Sequence, residues 1–304
     1  MNAADLFAGL GGFTEGAESA GIRVVYAANH WPVAVDWHRR NHPRVLHSCQ
    51  DLRQADFHDL PDFDILLASP SCQGHSPARG KDQPRHDASR STAWAVVDCA
   101  EAKRPAIIVC ENVPAWTKWV LWPAWCEAMR ALGYTLSPHI LNAADFGVPQ
   151  ERVRLILVAS RSKAPLILKP RRAAHQPVAA IIDWDRGDWP VISRRRFRPR
   201  SFARIQAGRR EHGERFVAPY YSRGSGMTGR SVDRPIGTLT TKDRWLIVKG
   251  NRARFLSVAE SRRAMSFPDT YLLPPQVQLA KHLLGNAIPP LMASRVLDEI
   301  RRAA

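Results

Sequence analysis

Asp5–Phe13 reads DLFAGLGGF. It combines an apolar strand end, a glycine-rich turn and the opening of a helix, the arrangement in which α/β proteins cradle a nucleotide-like ligand. The spacing is not that of a dinucleotide fingerprint. After Gly9 and Gly11 a third glycine belongs at position 14, where Thr14 stands. Alone, such a turn reads equally well as a tight strand–helix connection, so its neighbours decide. Ile22–Ala28 (IRVVYAA), Asp64–Ser69 (DILLAS), Ala106–Cys110 (AIIVC) and Leu155–Ser160 (LILVAS) are short apolar runs that end near turns or polar clusters. Buried parallel strands look like this. Between them, Thr92–Ala102 (TAWAVVDCAEA) reads as a helix with Trp94, Val97 and Ala100–Glu101 around one apolar face. Strands alternating with helices predict a doubly wound, Rossmann-like α/β sheet.

Beyond residue 160 the grammar changes. From Arg161 to Arg215 there are 15 Lys and Arg against 5 Asp and Glu, which places +10 of the chain's +16 net charge in one segment. Arg194, Arg195, Arg196, Arg198 and Arg200 crowd together there, with Trp184, Trp189, Phe197 and Phe202 interleaved. Helical or strand periodicity is poor, and the segment reads as a smaller inserted domain. Leu291–Ile300 returns to helix spacing behind Pro289 and Pro290. The expected division is 1–165, 166–275 and a returning segment 276–304. A chain of 304 residues with 45% hydrophobic and 24% charged residues is expected to fold, with about two domains' worth of length. The excess of basic residues favours a polyanionic partner, most often nucleic acid. No apolar run approaches the roughly 20 residues of a membrane span. The opening MNAADLFAGL lacks the basic and apolar regions of a secretory signal. Five cysteines, an odd number without a CxxC pair, argue against a disulfide scaffold or a zinc site, so no metal is expected and a reducing cytoplasm fits.

Three polar positions stand at strand ends, where open α/β sheets place their ligands and catalysts. Cys72 lies in SPSCQGHS (Ser69–Ser76), just after the DILLAS run. The flanking Pro70, Gly74 and Pro77 describe a loop, so this thiol is a candidate nucleophile, whereas Cys49, Cys99, Cys110 and Cys126 read as inert. Glu111, in CENVP, leaves a buried apolar strand. A carboxyl group there is costly unless paired or used, and desolvation favours its acid form. Arg152 and Arg154, in PQERVR, are two apart and would share one face of an extended chain; a solvated basic edge is the plainer alternative.

Taken in order, these segments resemble the cytosine carbon-5 DNA methyltransferase family. DLFAGLGGF matches its first motif, PSCQ (Pro70–Gln73) its nucleophile motif, ENV (Glu111–Val113) its glutamate motif and QERVR (Gln150–Arg154) its arginine motif. RPIGTLTTKDRW (Arg234–Trp245) looks like the motif beside the target-recognition region, and GNAIPP (Gly285–Pro290) matches the last motif. Six in the right order span the chain, except for the Arg-rich segment, which corresponds to the variable recognition region. The resemblance implies a methyltransferase sheet with an inserted recognition domain. It also implies S-adenosylmethionine held by Phe7, Ala8, Gly9, Leu10, Gly11, Gly12, Pro70, Asn286 and Ala287, Trp31 stacked on the adenine, and Asp51 with Leu52 at the adenine edge. Two departures stand out. Ser71 precedes Cys72 where the family has proline, and ANHW (Ala28–Trp31) offers Asn29 and His30 where an acid ordinarily binds the ribose. Either can hydrogen-bond a hydroxyl.

The resemblance further implies that Cys72 attacks carbon 6 of a cytosine extruded from duplex DNA. Glu111 acts as an acid at ring nitrogen 3, and Arg152 and Arg154 orient base and glutamate. The basic loop after Cys72, with Gln73, Arg79, Lys81 and Arg90, is expected to close over DNA. Arg194, Arg195, Arg196, Arg198 and Arg223 are expected to meet phosphates and base edges. A monomer is the default. The competing readings are a tRNA cytosine methyltransferase of the same fold, disfavoured because no Cys-Phe-Thr tripeptide occurs, and a DNA-binding paralogue that has lost catalysis, disfavoured because Cys72 and Glu111 are present. Whether the protein belongs to a restriction–modification pair, a phage or a solitary system is left open.

Overall fold

The computed structural model describes residues 1–71, 91–220, 229–242 and 244–303. They fall into two units. One comprises residues 1–142, 153–171 and 288–304, the other residues 143–152 and 172–287.

The first unit is built on a seven-stranded sheet in the order β3-β2-β1-β4-β5-β8-β6. Its strands are β1 (Asn2–Leu6), β2 (Arg23–Asn29), β3 (Leu46–Cys49), β4 (Ile65–Ala68), β5 (Ile107–Asn112), β6 (Thr135–Asn142) and β8 (Val153–Ser160). Strands β1 to β5 run parallel. The central ILLA and IIVCEN strands are buried along their whole length, which is why ILLA and IIVC read as continuous apolar stretches. β8 differs from the expectation: it lies antiparallel to both β5 and β6. The chain leaves β6 at Asn142 and re-enters beside it at Val153. That return is too short for the crossover a parallel pair needs. β6 itself carries Pro138 and occupies the edge, where a missing N–H is tolerated and burial is one-sided. Its alternating polar residues hid it from a search for apolar runs.

Helices α1 (Gly12–Ser19), α2 (Pro32–Asn41), α3 (Trp94–Lys103) and α4 (Trp122–Ala131) fall between the strands. The face that α3 buries is Ala95, Val96, Cys99 and Ala100, one position away from the Trp94 and Val97 expected from sequence, which are half-buried. The last helix of the chain, Pro290–Ala303, buries Met292, Ala293, Val296, Leu297 and Ile300 and packs on α1. Two glycines permit that approach. A Cβ on Gly12 would lie 2.1 Å from the Ile288 carbonyl oxygen, and one on Gly16 2.6 Å from the Ala293 Cβ.

The second unit holds an antiparallel sheet in the order β10-β9-β12-β13, made of β9 (Arg215–Pro219), β10 (Arg230–Ser231), β12 (Trp245–Lys249) and β13 (Arg252–Phe255). Helix α5 (Pro199–His212) packs on β9, and Ile192, Phe197, Ile205, Phe216, Leu246 and Val248 fill the core. A parallel pair joins β7 (Gln150–Glu151) to β11 (Ile236–Gly237). Helices α6 (Val258–Ala264) and α7 (Val277–Asn286) complete it, and the final helix is thus α8. Residues 143–152 and 276–287, which the sequence assigns to the flanking segments, pack in this unit. The reason is long-range pairing: β7 finds its partner 86 residues downstream, between Gln150 and Ile236.

Candidate functional site

In the first unit the chain order reverses between β1 and β4, the switch point at which open α/β sheets bind ligands beyond their carboxyl ends. The turn after β1 is shaped by three left-handed residues, Phe7 (φ 61°), Gly9 (φ 56°) and Gly11 (φ 98°). Glycine adopts this region freely, whereas Phe7 is strained there. The Ala8 N–H donates to the Ala28 carbonyl at 3.1 Å, and the Gly11 N–H to the Ala8 carbonyl at 2.9 Å, so the turn is tied to β2 and to itself. Leu10, Gly11 and Gly12 are buried, while Phe7, Ala8 and Gly9 are half-exposed.

Thr14, at the position of the missing third glycine, anchors this turn from below. Its Oγ1 bonds Asp5 Oδ2 at 2.8 Å and lies 3.1 Å from His38 Nε2; His38 Nδ1 meets His47 Nε2 at 2.8 Å. Burial pushes the Asp5 carboxyl up to about 7 and holds the His38 imidazole well below its ordinary value. Asp5 and His38 were not singled out by the sequence, and Thr14 stood out only as the residue in place of a glycine. The only signal was a polar residue inside an otherwise apolar strand.

At the neighbouring strand ends, Asn29 is buried and its Oδ1 accepts the Trp31 N–H at 2.9 Å. His30 is exposed and Trp31 half-exposed. Asp51 follows β3, and the Arg53 guanidinium beside it holds its carboxyl down at about 2. The Leu52 side chain belongs to the core, which leaves only its main chain to meet a ligand. A left-handed glycine turn, an indole face and an anionic acceptor for an exocyclic amine form a set that suits an adenosine-bearing ligand.

Glu111 lies at the carboxyl end of β5, 7% exposed, and is paired: Arg154 Nε is 2.8 Å from its Oε1. Next to it, Asn112 Nδ2 donates to the Pro70 carbonyl at 3.1 Å. Pro70 is buried, and the Ser71 N–H donates to Thr92 Oγ1 at 3.0 Å. A buried carboxyl group held by a guanidinium presents an oriented polar edge to a planar polar ring.

Arg152 departs from the expectation. It does not share a face with Arg154, because it stands at the break between β7 and β8, where the two-residue period of a strand no longer applies. It is 2% exposed and lies in the second unit. There one terminal nitrogen donates to the Leu239 carbonyl at 3.0 Å, and the other to those of Gly285 and Ala287, both at 2.9 Å. Its guanidinium is a clamp on main-chain carbonyls, and the orienting contact to the glutamate belongs to Arg154 alone of the two.

Asn286 is exposed and Ala287 buried at the end of α7. Arg194, Arg195, Arg196 and Arg198 are all exposed around the turn that leads into α5, with the Arg194 guanidinium 5.5 Å from the Phe202 ring centre. Cys72, Gln73, Arg79, Lys81, Arg90 and Arg223 lie outside the described residues. Among the described residues, Glu15, Glu18 and His42 bring three metal-ligating atoms within 4.8 Å of one another; His42 Nδ1 bonds Glu18 Oε2 at 3.1 Å. No helix among the described residues is long and apolar enough to cross a membrane.

The C-5 cytosine-specific DNA methylase family matches residues 1–180 and 180–302. Type II methyltransferase M.DdeI of Desulfomicrobium norvegicum is 26% identical over 368 residues, covering 99% of this chain and 88% of that protein. Type II methyltransferase M.HhaI of Haemophilus parahaemolyticus is 27% identical over 312 residues, covering 93% and 89%. Among solved structures, a mutant of Spodoptera frugiperda DNMT2 superposes with a TM-score of 0.72 at 16% identity, covering 99% of each chain. Entamoeba histolytica methyltransferase EhMeth does so with 0.70 at 13%, covering 100% and 98%. These structural likenesses carry the fold.

Proposed function

Because the chain belongs to the C-5 cytosine-specific DNA methylase family, an enzyme family that uses a methyl donor, we propose that it methylates carbon 5 of cytosine within a short duplex DNA site through a covalent adduct to Cys72. The observation that supports this most is the buried Glu111–Arg154 pair at the end of β5. Through Asn112 it is tied to Pro70, two residues before Cys72. The acid thus has a fixed partner and is tied to the segment that precedes the proposed nucleophile in sequence.

The donor in this reading is S-adenosylmethionine, which supplies an electrophilic methyl group on a sulfonium. The turn at residues 7–12, the Trp31 indole, the Asp51 carboxylate and Asn29 or His30 would hold it. The Cys72 thiolate would bond to carbon 6 of the flipped base, freeing the electron pair of the 5,6 double bond at carbon 5, which would take the methyl as its bond to the sulfonium breaks and the thioether product leaves. Glu111 holds the proton at ring nitrogen 3, which offsets the negative charge that develops on the ring. Arg154 keeps that carboxyl oriented. Loss of the carbon-5 proton to a base then re-forms the double bond and expels Cys72. In this reading Arg152 holds the main chain at Leu239, Gly285 and Ala287, and Arg154 carries the orienting contact to the glutamate. Arg194, Arg195, Arg196 and Arg198, with Gln73, Arg79, Lys81, Arg90 and Arg223, would contact the duplex. The protein would act as a monomer in the cytoplasm without a metal.

The test combines tritiated S-adenosylmethionine, duplex DNA of mixed sequence and base-resolution sequencing, with Cys72→Ser alongside. Label at carbon 5 of cytosine in one short context, lost in the variant, is the expected result. Label on tRNA and none on DNA would replace this reading with the RNA enzyme.

A further inference from the structure

Asp51 shares a sheet edge with residues 29–31, because β2 and β3 pair in parallel with Asn29 opposite Cys49 and the Gln50 N–H reaches the Asn29 carbonyl at 3.2 Å. Its carboxylate is heavily engaged. Arg53 Nε lies 3.0 Å from Oδ1 and 3.1 Å from Oδ2, and an Arg53 terminal nitrogen lies 2.5 Å from Oδ2. The Arg53 backbone N–H also donates to Oδ1, at 3.1 Å. An ionised carboxylate offers about four lone-pair sites, and three Arg53 donors, with the single Nε–H shared between both oxygens, occupy most of them. We propose that Arg53 sets the affinity of the adenosine cofactor by competing with its 6-amino group for Asp51. The inference rests on the reading of Asp51 as the acceptor of that amine.

The two kinds of contact separate cleanly. The bond from the Arg53 backbone N–H is a short local turn that does not need the side chain, so it keeps Asp51 aimed when the guanidinium is removed. The guanidinium contacts are the ones an incoming amine has to displace. Both partners are exposed to solvent, Arg53 at 41% and Asp51 at 37%, so the competition is modest. An exposed ion pair contributes up to about 1 kcal/mol, which corresponds to a factor of about five in a dissociation constant. Methyl donor and demethylated product carry the same adenine. Arg53 therefore loosens both alike, and its effect on turnover runs through product release and not through the chemistry at cytosine.

The experiment is calorimetric titration of the full chain and of Arg53→Met with S-adenosylhomocysteine and with S-inosylhomocysteine, in which an oxo group replaces the 6-amine. Methionine keeps an apolar stem and removes the donors; matched thermal unfolding of both proteins accompanies the titration. The expected result is that Arg53→Met binds S-adenosylhomocysteine about two- to fivefold more tightly. It should gain nothing toward the inosyl ligand, and the gain should vanish when Asp51→Asn is added. Unchanged or weaker binding of S-adenosylhomocysteine would overturn the proposal, since Arg53 would then support Asp51 instead of competing. An equal gain for both ligands would overturn it too, because bulk or charge alone would be responsible. If the unaltered protein binds neither ligand, the cofactor reading itself fails; if it binds and methylates DNA while Arg53→Met shows no gain, only this inference fails.

Discussion

Arg152 and Arg154 are two residues apart and chemically identical, yet the structure gives them opposite work, and exchanging each for lysine separates the two roles. Arg152 is 2% exposed and fans three hydrogen bonds to the carbonyls of Leu239, Gly285 and Ala287. A lysine keeps the charge but donates from one point and not from a fork. At least one, and on this geometry two, of those carbonyls lose their donor. A hydrogen bond from a charged group contributes about 1.5–3 kcal/mol, and a stranded buried acceptor costs about as much. Arg152→Lys should therefore destabilise the protein by roughly 3 kcal/mol, which lowers the melting temperature by on the order of 10 °C. Arg154 pairs with Glu111 through Nε and donates a terminal nitrogen to the Val153 carbonyl at 2.8 Å; a lysine keeps the charge there but not the fixed fork. Arg154→Lys should melt within about 2 °C of wild type while losing most of its methyl transfer, because the fixed orientation of Glu111 goes with the guanidinium. Differential scanning calorimetry and the tritium assay, run on both variants below their melting range, separate the outcomes. If Arg152→Lys melts like wild type and is catalytically dead, the clamp argument is wrong and the shared-face reading of the sequence returns.

Three further expectations follow from the same structure. Asp5 has its pKa raised from 3.8 to about 7 by desolvation, so the fold is most stable with this group protonated, below about pH 4, and loses stability as pH rises through 7. Between pH 5 and pH 8 the loss amounts to about 3 kcal/mol, and Asp5→Asn should flatten it in urea unfolding compared at those two pH values; a slope that survives the substitution would assign it to another group. Gly12→Ala should destabilise by about 3 kcal/mol or more, because its Cβ meets the Ile288 carbonyl oxygen at 2.1 Å. Gly9→Ala, strained only by its φ of 56°, should cost about 1 kcal/mol; similar melting curves for the two would contradict the packing argument. Replacing Arg194, Arg195, Arg196 and Arg198 by alanine should weaken DNA binding and flatten its dependence on log salt by roughly 0.9 for each arginine that meets a phosphate. An unaltered slope in fluorescence anisotropy would remove this turn from the interface.

Legibility from sequence followed how local each feature is. Glu111 could be found because a carboxyl group at the end of IIVC is anomalous against its own neighbours. Arg53 could not, since it is an exposed cation among 44 basic residues and matters only through the carboxylate two positions before it. Thr14 was noticed solely as the residue that stands where a fingerprint needs glycine, whereas its hydroxyl bonds the carboxyl under the turn. β6 and the second sheet escaped because edge strands and short antiparallel strands bury one face, and their alternation is easily lost among prolines and charges.

By itself, then, the sequence determined the glycine turn, the buried central strands, the strand-end glutamate and the motif order that places the chain in its family. Each depends on backbone dihedrals or on burial along a few consecutive residues, quantities that neighbouring side chains carry. Tertiary structure alone decided that β8 runs antiparallel, that residues 143–152 and 276–287 belong to the second unit, and that Arg152 and Arg154 part company. Those outcomes depend on which distant groups a strand or a guanidinium meets: Val153 against Asn142, and Arg152 against carbonyls 87 to 135 residues away. A hydrogen bond between such partners stabilises only once the whole chain has closed around it, and no window of sequence contains both ends.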